Sequence, residues 1–384
     1  MIPAADGPFG PFTTAARAAD PLVCRYRALF AHLDWTHVPD RNPDRPWPGR
    51  APHPRAAYVK ALLVKLVEGK PFVTEMRSFL VAHPLLVLEL GFRPVVDATQ
   101  PYGFDVARTV PGARWLRHQQ QTVDPAVLAA VLAGTVRTLR DRLPDLGETI
   151  AIDVTHLYAW VVANNPTADV AERFDPQRQP PGDPGCRLGA KRRANAKGAK
   201  VKEYLWGYGW GVAATTHPQC GDVVVAELTQ PFNHQDVTVF HPVYAQACAH
   251  LGRTPTNLAA DAAFDAWHVY QTCATTGGIA AIPRNDRHPT PPRTPDGRPI
   301  CAAGFAMTPG RTFSPERGFP ARDHHCPLLR PHRTGASCTA PQFATGGCHK
   351  IVNLAPGGQM RVTLDRTSAS FRAIYRLRTC TERI

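Results

Sequence analysis

The sequence predicts an α/β protein: an all-helical region over residues 1–146, then a mixed sheet with flanking helices over residues 147–384. Three observations predict it. Up to residue 146 the apolar residues recur at helical spacing. From residue 147 the apolar runs become short and β-branched. Further along, such runs alternate with helical stretches.

In the first region, "YVKALLVKLVEGK" places Val59, Leu62, Leu63, Leu66 and Val67 on one helical face, with Gly69 as the stop. "TEMRSFLVAHPLLVLELGF" gives two short helices divided at Pro84. "DPAVLAAVLAGTVRTLRDRL" opens with Asp124 as N-cap and Pro125 at the first helical position. It carries Leu128, Val131, Leu132, Val136, Leu139 and Leu143 on one face. Six prolines from Pro39 to Pro54 mark an intervening loop.

In the second region, "ETIAIDVTHLYAWV", "EYLWGYGWGVAATTH" and "DVVVAELTQPF" read as three successive strands. A helix ended by Gly252, a fourth strand "TNLAADAAF", a helix "DAWHVYQTCATTGG" and a fifth strand "IAAIPRN" follow. Residues 286–365 read as a loop-rich insertion, and residues 366–384 return to helix.

The 384-residue chain has a formal net charge of +13, which points to a polyanionic partner, nucleic acid first. The start "MIPAADGPFG" lacks the basic and apolar segments of a signal peptide. The longest apolar stretch, Ala126 to Gly134, is too short to span a bilayer. A cytoplasmic protein with no membrane partner and ten reduced cysteines is the expectation.

Asp153 ends the apolar run Ile150-Ala151-Ile152, and Asp261 ends "NLAAD". A carboxylate there is costly unless paired or bound to a cation, and strand ends in an α/β sheet are where ligands sit. In the last segment Tyr375, Arg378 and Glu382 fall on one helical stripe, beside an apolar stripe of Phe371, Ile374 and Leu377. Two strand-end aspartates with Glu382 supply hard oxygen ligands for Mg²⁺. Strand-end aspartates also serve as turn or helix caps, and an Arg–Glu pair on a surface helix is common.

"RLGAKRRANAKGAKVK" carries seven Lys or Arg and no acid; Lys191, Arg192, Arg193, Lys197, Lys200 and Lys202 are candidate DNA-backbone contacts in the connection between the first two strands. Trp206, Tyr208 and Trp210 share a strand face, and core packing is expected of them. Cys301, Cys326, Cys338 and Cys348, with His324, His325 and His349, are candidate Zn²⁺ ligands, although there is no C-x-x-C pair. Asp265 reads as the N-cap of the following helix. No Gly-rich phosphate loop, nucleophile elbow or HExxH motif is present.

Several blocks, in order, resemble bacterial insertion-sequence DDE transposases with an RNase H-like catalytic domain. "AIDVTH" resembles their first-aspartate strand, "KEYLWGYGWGV" their second-strand block and "ADAAFDAWHVY" their second-aspartate block. "YRLRTCTERI" resembles their Tyr-x-x-Arg-x-x-x-Glu signature, and "VKALLVKLVEGK" with "VPGARWLRHQ" their helical N-terminal region. The resemblance implies a metal-binding catalytic triad of Asp153, Asp261 and Glu382, using Mg²⁺ with Mn²⁺ as substitute. Tyr375 and Arg378 would position DNA phosphate and support Glu382. It implies a DNA-binding N-terminal region, cleavage of transposon-end DNA and strand transfer into target DNA, by a homodimer on double-stranded DNA near the nucleoid. It also implies a His-Asp pair near the metals, at His234 and Asp236, which a helix N-terminus explains as well. The signature ordinarily continues with a basic residue and more helix, whereas this sequence stops at Ile384. The expectation is therefore a truncated chain with Glu382 in a fraying turn. A catalytically dead DNA-binding remnant is the alternative, and a non-transposing nuclease on the same fold a third.

Overall fold

The computed structural model describes residues 11–38, 51–194, 200–285, 292–316 and 318–384. The proline-rich stretch from Pro39 falls mostly outside them. The chain divides into two compact units, the first ending at Arg142 and the second running from Leu143 to Ile384; the change of pattern in the sequence lies close by, after residue 146.

The first unit contains α1 (Pro11–Ala19), α2 (Pro21–Ala31), α3 (Arg55–Val67), α4 (Val73–Ala82) and α5 (Pro84–Leu90). After a short ladder of β1 (Val95–Val96) and β2 (Phe104–Asp105) come α6 (Val106–Thr109), α7 (Ala113–Thr122) and α8 (Pro125–Arg142). The ladder departs from an all-helical reading. Gly103 at φ 74° and the bond from Asp97 N to Gly103 O (3.0 Å) close that hairpin. A second departure concerns α3. It buries Ala57, Tyr58, Val59, Ala61 and Val64, while Leu66 and Val67 are 70% and 46% exposed. Tyr58, whose ring meets Phe92 edge-on at 5.6 Å, and the alanines beside it share the face with Val59 and the partly buried Leu63, so the buried face is turned away from Leu66 and Val67. On α8, Val127, Val131 and Val136 are buried and Leu128 is exposed. No single helix among the described residues is long and apolar enough to cross a membrane.

The second unit is built on a mixed sheet of β3 (Thr149–Tyr158), β4 (Arg187–Ala194), β5 (Lys200–His217), β6 (Gly221–Pro231), β7 (Asn257–Ala260) and β8 (Ala280–Ala281). β6, β5 and β3 run antiparallel, and β7 and β8 continue parallel to β3. β4 pairs antiparallel with the outer half of β5, so the described parts of the basic run that reads as a connection, Arg187–Ala194 and Lys200–Lys202, are strand. Gly189 lets β4 pass close to Phe232, whose ring a Cβ there would overlap.

α9 (Phe240–Leu251) packs on β5 and β6, and α10 (Trp267–Thr276) lies against α11 (Pro356–Thr363). The last segment is two helices, α12 (Ala369–Arg376) and α13 (Thr379–Arg383), joined by a tightened turn in which Leu377 N and Arg378 N bond three residues back. Residues 286–365 are less irregular than expected. They hold a three-stranded antiparallel sheet of β9 (Thr308–Phe313), β10 (Ala321–His325) and β11 (His349–Asn353), with β10 central.

Asp265 is not an N-cap; α10 has no side-chain cap bond. Its fully buried carboxylate takes a two-pronged pair from Arg361 on α11 (2.8 and 2.7 Å), Tyr270 OH (2.9 Å) and Asn285 N (3.0 Å). Burial alone would raise its pKa, but these donors hold it below the ordinary carboxylate value. Asp265→Ala would strand the Arg361 charge. It is expected to destabilise the second unit by about 3–5 kcal/mol in urea denaturation, against about 1 kcal/mol or less for Asp222→Ala at an exposed pair.

Candidate active site

The site begins with register. β3 and β7 pair in parallel up to Ile152↔Ala260, so Asp153 and Asp261 come next side by side; Asp261 follows the end of β7, whereas Asp153, expected at a strand end, lies within β3, which continues on β5 to Tyr158. The strands are apolar up to that point: Ile150, Ile152, Leu258 and Ala260 are fully buried. The two carboxylates emerge where that core stops.

Asp153 is half-buried. It accepts from Val154 N (2.8 Å) and from Arg378 Nη1 (3.1 Å). Burial pushes its carboxyl up; the negative charges of Asp261 and Glu382 push the same way, against Val154 N–H and Arg378. Asp261 caps the short turn Ala262–Phe264 through Ala263 N (2.8 Å). The capping role and proximity to Asp153 coexist.

Glu382 reaches the site from α13. Arg378 Nη2 donates to Glu382 Oε1 while its Nη1 holds Asp153 Oδ2, so one guanidinium spans both carboxylates. Tyr375 lies under the Arg378 guanidinium at 5.7 Å from ring centroid and stacks on Phe371 at 5.8 Å. The helical segment is pinned at three points. Phe371 is buried, Cys380 inserts among Ala151, Ala214 and Ala259, and Arg383 makes a two-pronged pair with Asp222 (2.6 and 2.7 Å). The Arg383 bonds hold the Asp222 carboxyl down at about 2. This pinning replaces the fraying turn expected around Glu382.

A fourth carboxylate joins them. Asp236 stands in the 3₁₀ turn Asp236–Val239, ahead of α9. Burial, then the charges of Asp261 and Asp153, push its pKa up to about 6. The turn sits close because β5 alternates glycine with aromatics. A Cβ at Gly211 would lie 2.7 Å from Val239 Cγ2, and Thr238 Oγ1 donates to Gln230 Oε1 (3.0 Å) on β6. The Gly207, Gly209 and Gly211 spacing was the available signal. The aromatic positions on the other face are packed as expected: Trp206 is buried and donates to Arg173 O (2.7 Å), and Trp210 donates to Glu227 Oε2 (3.1 Å).

The described basic residues lie on β4 and β5. Lys191 is exposed and pairs with Glu203 in register, and Lys202 Nζ lies 4.9 Å over the Tyr204 ring. Lys191 also lowers the pKa of His156 on β3, after burial. Lys197 falls outside the described residues; Arg192, Arg193 and Lys200 are described in their backbone only.

The candidate zinc cysteines draw together. His325↔His349 is the last pair of the β10–β11 ladder, so Cys326 and Cys348 follow it on opposite strands. Burial, then Cys301, Cys326 and Cys338, push the Cys348 thiol up. Ala340 N donates to Cys338 Sγ (3.4 Å). Among the described residues, however, the group whose metal-ligating atoms all lie within 4.8 Å of one another is Asp323, His325 and His349.

Comparison with protein-family models, curated proteins and solved structures found no match.

The raised carboxyls carry a prediction. A carboxylate whose folded pKa lies above its unfolded value costs stability as pH rises through that window, from about 4 to about 6 for Asp236. Without divalent cations the Asp236 carboxyl is expected to contribute a stability loss between pH 5 and pH 7.5, opposed by His156, His268 and His324, whose lowered pKa values favour the fold as pH rises, so the contribution is read from the difference between the unaltered chain and a variant. Asp236→Asn should recover about 1–2 kcal/mol at pH 7.5, after allowance for solvent screening. Chemical denaturation at both pH values measures it; adding Mg²⁺ should stabilise the unaltered chain more than the variant.

Proposed function

We propose that this chain is a DDE-type DNA transposase with an RNase H-like catalytic domain, cutting transposon ends and joining them to target DNA. The observation that supports the reading is that Asp153, Asp236, Asp261 and Glu382 lie within electrostatic reach of one another where the parallel pairing of β3 and β7 stops, with Arg378 spanning Asp153 and Glu382. The sheet, three antiparallel strands continued by two parallel ones, agrees with it.

The donor set fits a hard divalent cation. It is all carboxylate oxygen, and the raised carboxyls of Asp153 and Asp236 mark negative charge that the protein alone leaves undercompensated. Asp153, Asp261 and Glu382 would hold Mg²⁺ or Mn²⁺, with Asp236 beside them; such ions activate an attacking oxygen and stabilise a leaving one in phosphodiester chemistry.

The chain's own residues do the rest. Arg378 orients Asp153 and Glu382 and brings a positive charge to the place where a phosphate would lie. Tyr375 fixes the guanidinium from below. Lys191 and Lys202 of the β4–β5 pair, with Arg192 and Arg193 of the same basic sequence run, are the DNA-backbone contacts in this reading, and a net charge of +13 favours that encounter. A dimer acting on paired ends belongs to the same proposal.

Two measurements check this. Labelled duplex DNA carrying the sequences that flank the gene, incubated with the full chain and Mn²⁺, should be cut and joined to a target plasmid. Asp153→Asn, Asp261→Asn and Glu382→Gln should each lower this by at least about 100-fold while leaving DNA binding intact. Binding without metal-dependent cutting would favour a DNA-binding protein lacking catalysis, and cutting without joining a nuclease. Second, replacing Lys191, Arg192 and Arg193 with Gln should reduce the slope of log affinity against log salt by roughly 3.

A further inference from the structure

The small sheet of β9, β10 and β11 holds a second cluster, apart from the acidic site. Alternation along β10 puts Asp323 and His325 on one face, and the register His325↔His349 brings His349 of β11 alongside them. The two imidazoles stack at 5.2 Å between centroids and 27° between planes. His325 Nε2 lies 3.2 Å from Asp323 Oδ2, and one ligand atom from each of the three residues lies within 4.8 Å of the others.

Two features show that this is more than a surface pairing. Asp323 is 8% exposed, and its Oδ1 is buried with no hydrogen-bond partner. A buried, unpartnered carboxylate oxygen is costly, and a bound cation would satisfy it. The β9–β10 register also slips between Arg322 and His324, which sets Gly310 against the cluster. A Cβ at Gly310 would overlap Asp323 Oδ1 and stand 2.7 Å from His325 Nε2. The bulge and the missing side chain leave room at the ligand atoms. Arg311 approaches Asp323 Oδ2 from solvent only at 4.0 Å, and its side chain is 83% exposed.

We propose that Asp323, His325 and His349 form a divalent transition-metal site that takes Zn²⁺, with a further coordination position open to solvent. Two imidazole nitrogens and a carboxylate oxygen suit Zn²⁺ and its neighbours better than Mg²⁺, which favours oxygen alone. His349 is exposed and the His325 side chain 32% exposed, so an ion can enter. The ion fastens β10 to β11 in a sheet with a small apolar core, where metal binding contributes directly to folding. The assignment differs from the cysteine set that the sequence singles out: Cys326 and Cys348 lie just beyond the ends of β10 and β11, where Cys348 is near Cys301, Cys326 and Cys338, and they are not ligands of this site.

The test uses the full chain, stripped with a chelator and kept in excess Mg²⁺ to occupy carboxylate sites. Zn²⁺ added and then dialysed should remain at one equivalent per chain by elemental analysis and raise the melting temperature. Co²⁺ should give ligand-field bands without the sulfur-to-cobalt charge-transfer band of a thiolate. His349→Asn, at an exposed position expected to fold, and Gly310→Ala, which keeps every ligand, should each weaken Zn²⁺ binding by at least about tenfold. Cys326→Ser with Cys348→Ser should leave it unchanged. Failure to retain zinc, a thiolate band with Co²⁺, or loss of zinc in the cysteine variant but not in His349→Asn would each overturn the proposal. None of these outcomes bears on DNA cutting at the acidic cluster.

Discussion

The second unit turns on one electrostatic problem. Two carboxylates, Asp153 and Asp261, stand side by side where the parallel pairing of β3 and β7 stops, Asp261 just past the end of β7 and Asp153 within β3, and Asp236 and Glu382 come in beside them. Like charges in a part-dry place repel strongly, and each must be balanced or take up a proton. Arg378 balances part of this by spanning Asp153 and Glu382. It can do so because its helical segment is fastened elsewhere, by Phe371, by Cys380 in the alanine-lined sheet face and by Arg383 on Asp222. The remaining imbalance, seen in the raised Asp236 and Asp153 carboxyls, gives the cluster its affinity for a cation in this account.

Much of this frame was legible from local pattern. The apolar run before Asp261 ends β7, but at Asp153 only the buried run ends, because a free carboxylate is costly in the core; β3 itself continues to Tyr158 along β5, which the sequence reading of a strand end missed. The spacing of Arg378 and Glu382 was enough to foresee their contact. What escaped depends on the third dimension. By position alone Asp236 is a first-turn acid, and the family resemblance rather than local pattern set it, with His234, near the carboxylates; the absence of a side chain at Gly211 lets its turn close on the sheet. The α3 face was misread in part because leucines dominate the pattern, while Tyr58 and the alanines share the buried face with Val59 and the partly buried Leu63, away from Leu66 and Val67. Asp265 looked like a cap, but its partner Arg361 is 96 residues away in sequence.

The insertion shows a further limit. Its cysteines and histidines are conspicuous by type, yet strand alternation sorts them. Asp323 and His325 share one face of β10; His324 and Cys326 fall on the other. Until the register was known, Asp323 was one acid among many. The proposed zinc site and the acidic site thus differ in chemistry as well as place: imbalance among oxygens in one, imidazoles gathered around an unpartnered oxygen in the other.

The central claim is that the carboxylates around Asp153 and Asp261 bind a divalent cation, and Mn²⁺ titration followed by electron paramagnetic resonance tests it most directly. With the histidine cluster removed by His325→Asn and His349→Asn, the account predicts saturable loss of the free Mn²⁺ signal. The same background carrying Asp153→Asn and Asp261→Asn should lose that binding while staying folded by circular dichroism. Mn²⁺ binding that is absent at neutral pH, or unchanged when both aspartates are replaced, would contradict it.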